Sequence, residues 1–179
     1  MTGKILILSL AVLLAAGAIF YFSSQDGPSS DQTSGGFVRI ALKLFVPDYD
    51  DLPPARQAQV RKNVNFAVRK AAHVFEYAVL GALLTLLLLE ISKRRSAQKR
   101  RLAQTGTGYD VLKPLAAAVI IGLIYAATDE VHQIFTGRSS KLSDVLIDLA
   151  GVMAGAAAAW LLSRVCSSLR NDKKVKKKQ

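Results

Sequence analysis

The chain has 179 residues, 51% of them hydrophobic, a formal net charge of +11 and a single cysteine. The length suits one domain. One cysteine excludes an intramolecular disulfide and a cysteine zinc cluster, and Cys166 reads as a small apolar filler at the end of an apolar block. The positive charge is not spread as a nucleic-acid surface would need. It is gathered in two clusters that flank apolar blocks, Lys93 to Arg101 and Arg170 to Lys178, where attraction to anionic lipid accounts for it. No nucleic-acid partner is expected.

The apolar residues fall into four blocks. Ile5 to Phe22 is a run without a charge, close to the about 20 residues a span needs. A signal peptide is the rival reading, with Lys4 as its basic region and Ala16-Gly17-Ala18 as a cleavage site. The run continues through Ile19-Phe20-Tyr21-Phe22, which favours a span. The 23–70 loop holds turn-like Gly27-Pro28-Ser29-Ser30 and Ser34-Gly35-Gly36. Phe37, Ile40, Ala41, Leu44 and Phe45 then recur at helical spacing over a stretch too short to span, as in an interfacial amphipathic helix. Pro47, Pro53 and Pro54 interrupt the chain. A more polar helix starts near Ala55 and is expected to run into the second span, about 71–91. The third span is about 112–135, with Pro114 in its first turn where a missing N–H costs nothing. The fourth is about 145–162, with Trp160 at interface depth. The chain therefore reads as an all-α membrane protein: a four-transmembrane-helix bundle over 1–162, an interfacial helix in its first outer loop, and a basic, disordered cytoplasmic tail at 163–179.

Loop charge sets the orientation. Loop 92–113 and the tail from Ser163 each hold seven Lys/Arg, whereas loop 136–144 has only Arg138 and Lys141. The positive-inside rule places 92–113 and both termini in the cytoplasm. Loop 23–70 then faces outward, although it too carries seven Lys/Arg, against five Asp.

This topology collects ionisable residues at the outer side. Arg69, His73, Glu76 and Tyr77 are three and four apart and share a helix face, with Lys70 beside them. Tyr125, Asp129, His132 and Gln133 share another, while Glu130 points roughly 100° away from Asp129. Arg138, then Asp144 and Asp148 one turn apart, follow at the start of span four, ahead of a Gly151/Gly155 stripe that permits close helix contact. Ser23-Ser24-Gln25 lies at the same depth. Any one of these can be polar glue between helices. Two histidines, several carboxylates, cations and tyrosines at one end exceed what a structural bundle needs.

Read in order, Ser23-Ser24-Gln25, Arg69-Lys70-x-x-His73-x-x-Glu76-Tyr77-x-x-Leu80-Gly81, Tyr125-Ala126-x-x-Asp129-Glu130-x-His132-Gln133-x-Phe135, Gly137-Arg138 and Asp144-x-x-x-Asp148-x-x-Gly151 resemble the VanZ-like family of bacterial membrane proteins. Thr136 departs from the family's usual step before its Gly-Arg pair. The resemblance implies a multi-pass protein of the bacterial cell membrane, linked through the family's founding member to teicoplanin resistance. It establishes no reaction.

Three functions compete. In the first, the site acts on a lipid or lipid-linked envelope precursor. His73 or His132 is the general acid or base, oriented by Glu76 or Asp129. Arg69, Lys70 and Arg138 hold an anionic group, and Asp144 and Asp148 complete the catalytic set. Ser24, Gln25, Tyr77, Tyr125, Glu130 and Gln133 line the substrate side. No nucleophile stands out, Ser24 and Thr128 being candidates by position only. In the second, the same cavity is a non-catalytic site for an envelope precursor, a glycopeptide drug or a partner enzyme. The third, proton or ion movement, is weaker because Glu90 is the one acidic residue near the inner end of a span. The cofactor is left unknown: two histidines and carboxylates suit a divalent metal such as zinc, which is not favoured, and Asp129-Glu130-Val131-His132 is not the His-Glu-x-x-His signature. Oligomeric state is left open.

Overall fold

The uncharged first block forms α1, Gly3–Ser23. The computed structural model describes residues 3–25, 27–103, 111–135 and 141–176, and the regular structure among them is all helical, without strands. α2 spans Gly27–Phe45, α3 Pro54–Ala103, α4 Leu112–Phe135 and α5 Leu142–Lys176, with a short 3-10 turn at Tyr49–Asp51. α1, α3, α4 and α5 are each long and apolar enough to cross a membrane. Large apolar side chains on their outer faces, among them Leu6, Leu10, Leu13, Ile124, Met153 and Leu161, are exposed. In water such a surface is unfavourable by about 25 cal/mol per Å². Against acyl chains that penalty disappears.

The bundle is organised by α3 and α5. Its buried core joins Ile19 of α1, Tyr77, Leu80 and Leu84 of α3, Ala118 and Ala126 of α4, and Val152 of α5. Small residues let the backbones meet. A Cβ at Gly155 would strike the carbonyl oxygen of Ala78, and one at Gly81 that of Val152. This is the close approach expected of the Gly151/Gly155 stripe.

At about 1.5 Å per residue, the 50 residues of α3 are some 75 Å long, more than twice a hydrocarbon core of about 30 Å. Its polar first third therefore projects beyond the bundle, as the continuous helix starting near Ala55 implies. α2 packs on that projection. Val38 and Leu42 are buried, Ser34 Oγ donates to Asn65 Oδ1 at 2.7 Å, and Asn65 Nδ2 donates to Asp31 Oδ1.

Two segments differ from the sequence reading. Gly27-Pro28-Ser29-Ser30 and Ser34-Gly35-Gly36 are not turns but the first half of α2. Pro28 sits in the first turn, where its missing N–H breaks no helical bond, and packing on α3 outweighs the low helix propensity of the glycines. The amphipathic stretch 37–45 is the second half of the same helix, with Phe37, Ile40, Leu44 and Phe45 exposed. At the other end of the chain, α5 continues beyond the apolar span to Lys176, through most of the segment expected to be disordered. No proline or glycine follows Gly155 to stop it.

Candidate functional site: a buried polar cluster at one end of the bundle

α1, α3, α4 and α5 each bring one polar terminus or segment to the same region. The end of α1, the His73 region of α3, the end of α4 and the start of α5 therefore meet at one end of the bundle. At the opposite end the acidic Glu90 is paired: it accepts from Lys4 Nζ at 3.2 Å and from Arg94 Nε at 3.1 Å. No ionisable relay connects the two ends among the described residues.

Asp129 lies at the centre of the polar end and is only 4% exposed. Its Oδ2 accepts from Ser23 Oγ at 2.7 Å and from Gln133 Nε2 at 3.1 Å, while its Oδ1 has no hydrogen-bond partner. Asp148, 2% exposed, reaches in from α5. Its Oδ1 is 3.7 Å from His73 Nδ1, beyond hydrogen-bond length, and its Oδ2 is also without a hydrogen-bond partner. One ligand-type atom from each of His73, Asp129 and Asp148 lies within 4.8 Å of the other two. The fully buried Tyr77 stacks near His73 with ring centroids 6.4 Å apart, and its hydroxyl lies beside Asp129.

Lys70 is 2.6 Å from Asp144, tying α3 to α5. Glu130 is buried and close enough to Asp148 to interact electrostatically, although the helical wheel turns it away from Asp129. α4 is covered on more than one side, so residues about 100° apart can both be enclosed. Tyr125 holds a structural bond, donating its hydroxyl to the Ala16 carbonyl at 2.7 Å, with its ring 6.2 Å from that of Tyr77.

His132 stands apart, on the α1 side. It stacks on Phe20 with centroids 4.5 Å apart, and its Nε2 is 3.1 Å from Ser24 Oγ. Ser24 gives its own proton to the Phe20 carbonyl at 2.6 Å, so the ring nitrogen facing it is placed to donate. Thr128 likewise donates to the Tyr125 carbonyl. Both hydroxyls weighed as nucleophiles are thus committed to helix carbonyls.

Of the other residues read from sequence, Arg69 turns outward, 3.9 Å from Asp31 of α2. Gln25, Arg69, His73 and Glu76 are among the residues lining a cleft of about 570 Å³ between α2 and α3. Arg138 lies outside the described residues. The sequence reading places Ser23 at the depth of the site but gives a site role only to Ser24 and Gln25. The signal was there: neighbouring residues at a helix end are turned about 100° apart, so Ser23 and Ser24 serve two different partners on α4. It also missed Asp31 and Asn65, which secure α2 to α3.

Compared with known proteins, residues 8–163 match the family described as VanZ/LLP1. No curated protein and no solved structure matches.

Proposed function

The chain belongs to the VanZ/LLP1 family, and on that footing we propose that this multi-pass membrane protein takes an anionic lipid, or a lipid-linked envelope precursor, into the polar end of its bundle from the outer leaflet of the cytoplasmic membrane. The observation that carries this reading is the form of the α2–α3 cleft. Phe37, Ile40, Leu44, Phe45 and Phe75 make its lining mainly apolar, and Gln25, Arg69, His73 and Glu76 add polar and charged groups to it, with Ser30, Thr33 and Ser34 from α2. That lining matches a molecule with an acyl or polyprenyl chain and a charged headgroup. His73 is also part of the buried cluster, so a headgroup in the cleft reaches Asp148 and Asp129 through a shared side chain.

In this reading α2 lies at the membrane interface, its exposed Phe37, Ile40, Leu44 and Phe45 against lipid, and both termini are cytoplasmic by the positive-inside rule. Arg69 meets the anionic group, its present partner Asp31 being exposed and readily exchanged. The histidine–carboxylate cluster supplies the reacting end. A change in precursor handling is the route by which such a protein would bear on glycopeptide resistance. The non-catalytic reading, a binding or accessory protein for the same precursor, a drug or a partner enzyme, is favoured by one observation: the Ser24 and Thr128 hydroxyls are both committed to carbonyls.

The test fills the cleft without touching the cluster. Ala72 is exposed and lines the cleft. Ala72→Trp should lower retention of phosphate-headgroup lipid, read by native mass spectrometry of detergent-purified protein, by about 10-fold or more, equivalent to about 1.4 kcal/mol. Equal retention by variant and wild type, or none by wild type, would overturn the reading.

A further inference from the structure

We propose that His73, Asp129 and Asp148 are the protein ligands of a divalent transition-metal ion, zinc or manganese, bound where His73 lines the cleft. The inference deepens the reading above and rests on the same cluster, but it does not depend on which lipid is bound.

The geometry is the first support. One atom from each of the three residues lies within 4.8 Å of the others, and His73 Nδ1 and Asp148 Oδ1 are 3.7 Å apart. Bonds of about 2.0–2.2 Å to zinc put ligand atoms roughly 3.3 Å apart in a tetrahedron and about 4.2 Å across an octahedron. Small side-chain rotations close the remaining gap. The His73–Asp148 separation is too long for a hydrogen bond but suits two ligands of one ion.

The second support is independent of the spacing. Asp129 and Asp148 are each more than nine-tenths buried; Asp148 Oδ2 has no hydrogen-bond partner, and Asp129 Oδ1 has only the neutral Tyr77 hydroxyl beside it, outside hydrogen-bond geometry. Natural buried carboxylates are paired or coordinate metal. The nearest lysine, Lys70, is already held by Asp144 at 2.6 Å. Buried Glu130 adds negative charge beside Asp148 and relieves nothing. A divalent cation with neutral His73 balances Asp129 and Asp148 charge for charge. One imidazole nitrogen with two carboxylate oxygens is a borderline donor set, suited to zinc or manganese rather than to calcium or copper(I).

The surroundings fit a ligand role. Ser23 and Gln133 both donate to Asp129 Oδ2 and fix the carboxylate in place, as outer-shell partners do in metal sites. Three protein ligands leave coordination positions for an oxygen of a headgroup. His73 is then a ligand rather than a proton carrier, and the lack of an available protein hydroxyl nucleophile ceases to count against chemistry at this end.

The test uses the full chain in detergent, stripped with chelator and re-equilibrated with zinc or manganese in the absence of added lipid. Bound zinc is read by elemental mass spectrometry and bound manganese by electron paramagnetic resonance. The expected result is about one equivalent of one of the two ions per chain, lost in Asp129→Asn/Asp148→Asn and in His73→Ala. Substoichiometric metal in folded wild type overturns the proposal without any variant. So does unchanged binding by all variants that elute as monodisperse protein with wild-type helical content. Lipid retention by the chelator-stripped wild type separates the two readings: if metal fails while lipid is retained and Ala72→Trp still lowers that retention, the cleft reading stands alone.

Discussion

Gly155→Leu should strongly destabilise the folded bundle. Even a Cβ at this position overlaps the Ala78 carbonyl, and that atom belongs to the α3 backbone, so no rotamer change relieves the clash. Overpacking of a core ordinarily costs about 1–3 kcal/mol. A leucine here drives α3 and α5 apart, separates the residues at Gly81/Val152 as well, and should cost at least about 3 kcal/mol, a large fraction of the about 5–15 kcal/mol by which a typical domain is stable. The measurement is the monodisperse fraction and thermal unfolding of detergent-purified protein. Gly17→Leu is the matched control. Nothing lies within 4 Å of a Cβ at Gly17, on the lipid-facing side of α1, so that substitution should stay within about 0.5 kcal/mol of wild type. Equal behaviour of the two variants would mean that α3 and α5 do not meet through glycine.

Asp148→Asn should separate stability from function. If Asp148 is polar glue, the isosteric amide weakens the bundle. If it is a functional group held at a cost, the amide relieves the burial of a carboxylate with an unpartnered oxygen. We expect the variant, in metal-free buffer, to unfold no earlier than wild type, with a gain of up to about 1–3 kcal/mol. Handling of a lipid-linked precursor should fall by about 100-fold or more, the usual effect of removing a charged group at a reacting centre. Marked destabilisation with function retained would assign Asp148 to the scaffold. Stability that rises where activity falls is the signature of a site rather than of a core.

Much of this arrangement is legible in the amino-acid sequence, for reasons that differ by element. The third span is read at 112–135 and α4 occupies those residues, because a Pro in the first turn and a long apolar run mark both ends. α2 is half missed, because Gly27-Pro28 and Gly35-Gly36 are turn signals locally and only packing on α3 makes them helix. Helical spacing correctly groups His73 with Tyr77 and Asp129 with Gln133. It cannot say which helix each face meets. His73 is expected to be oriented by Glu76 or Asp129; Asp129 does share its cluster, and the carboxylate of Asp148, from another helix, also stands 3.7 Å away. His132 is expected in the same cluster and instead pairs with Ser24 on the α1 side. A wheel fixes angles within one helix; the choice of neighbour is a property of the packed bundle, decided here by glycines that let α5 close on α3.

The central claim is that the polar end of the bundle, where the start of α5 meets His73 and Asp129, opens to the outside of the membrane. Single-cysteine labelling tests it directly. Ser143, in the first turn of α5, and Cys166, near its far end, are both exposed. In intact cells a membrane-impermeant maleimide should label Ser143→Cys in a Cys166→Ser background and leave native Cys166 unmodified until the membrane is permeabilised. Labelling of Cys166 in intact cells, with Ser143→Cys protected until permeabilisation, would turn the bundle over, place the cluster in the inner leaflet, and contradict the account.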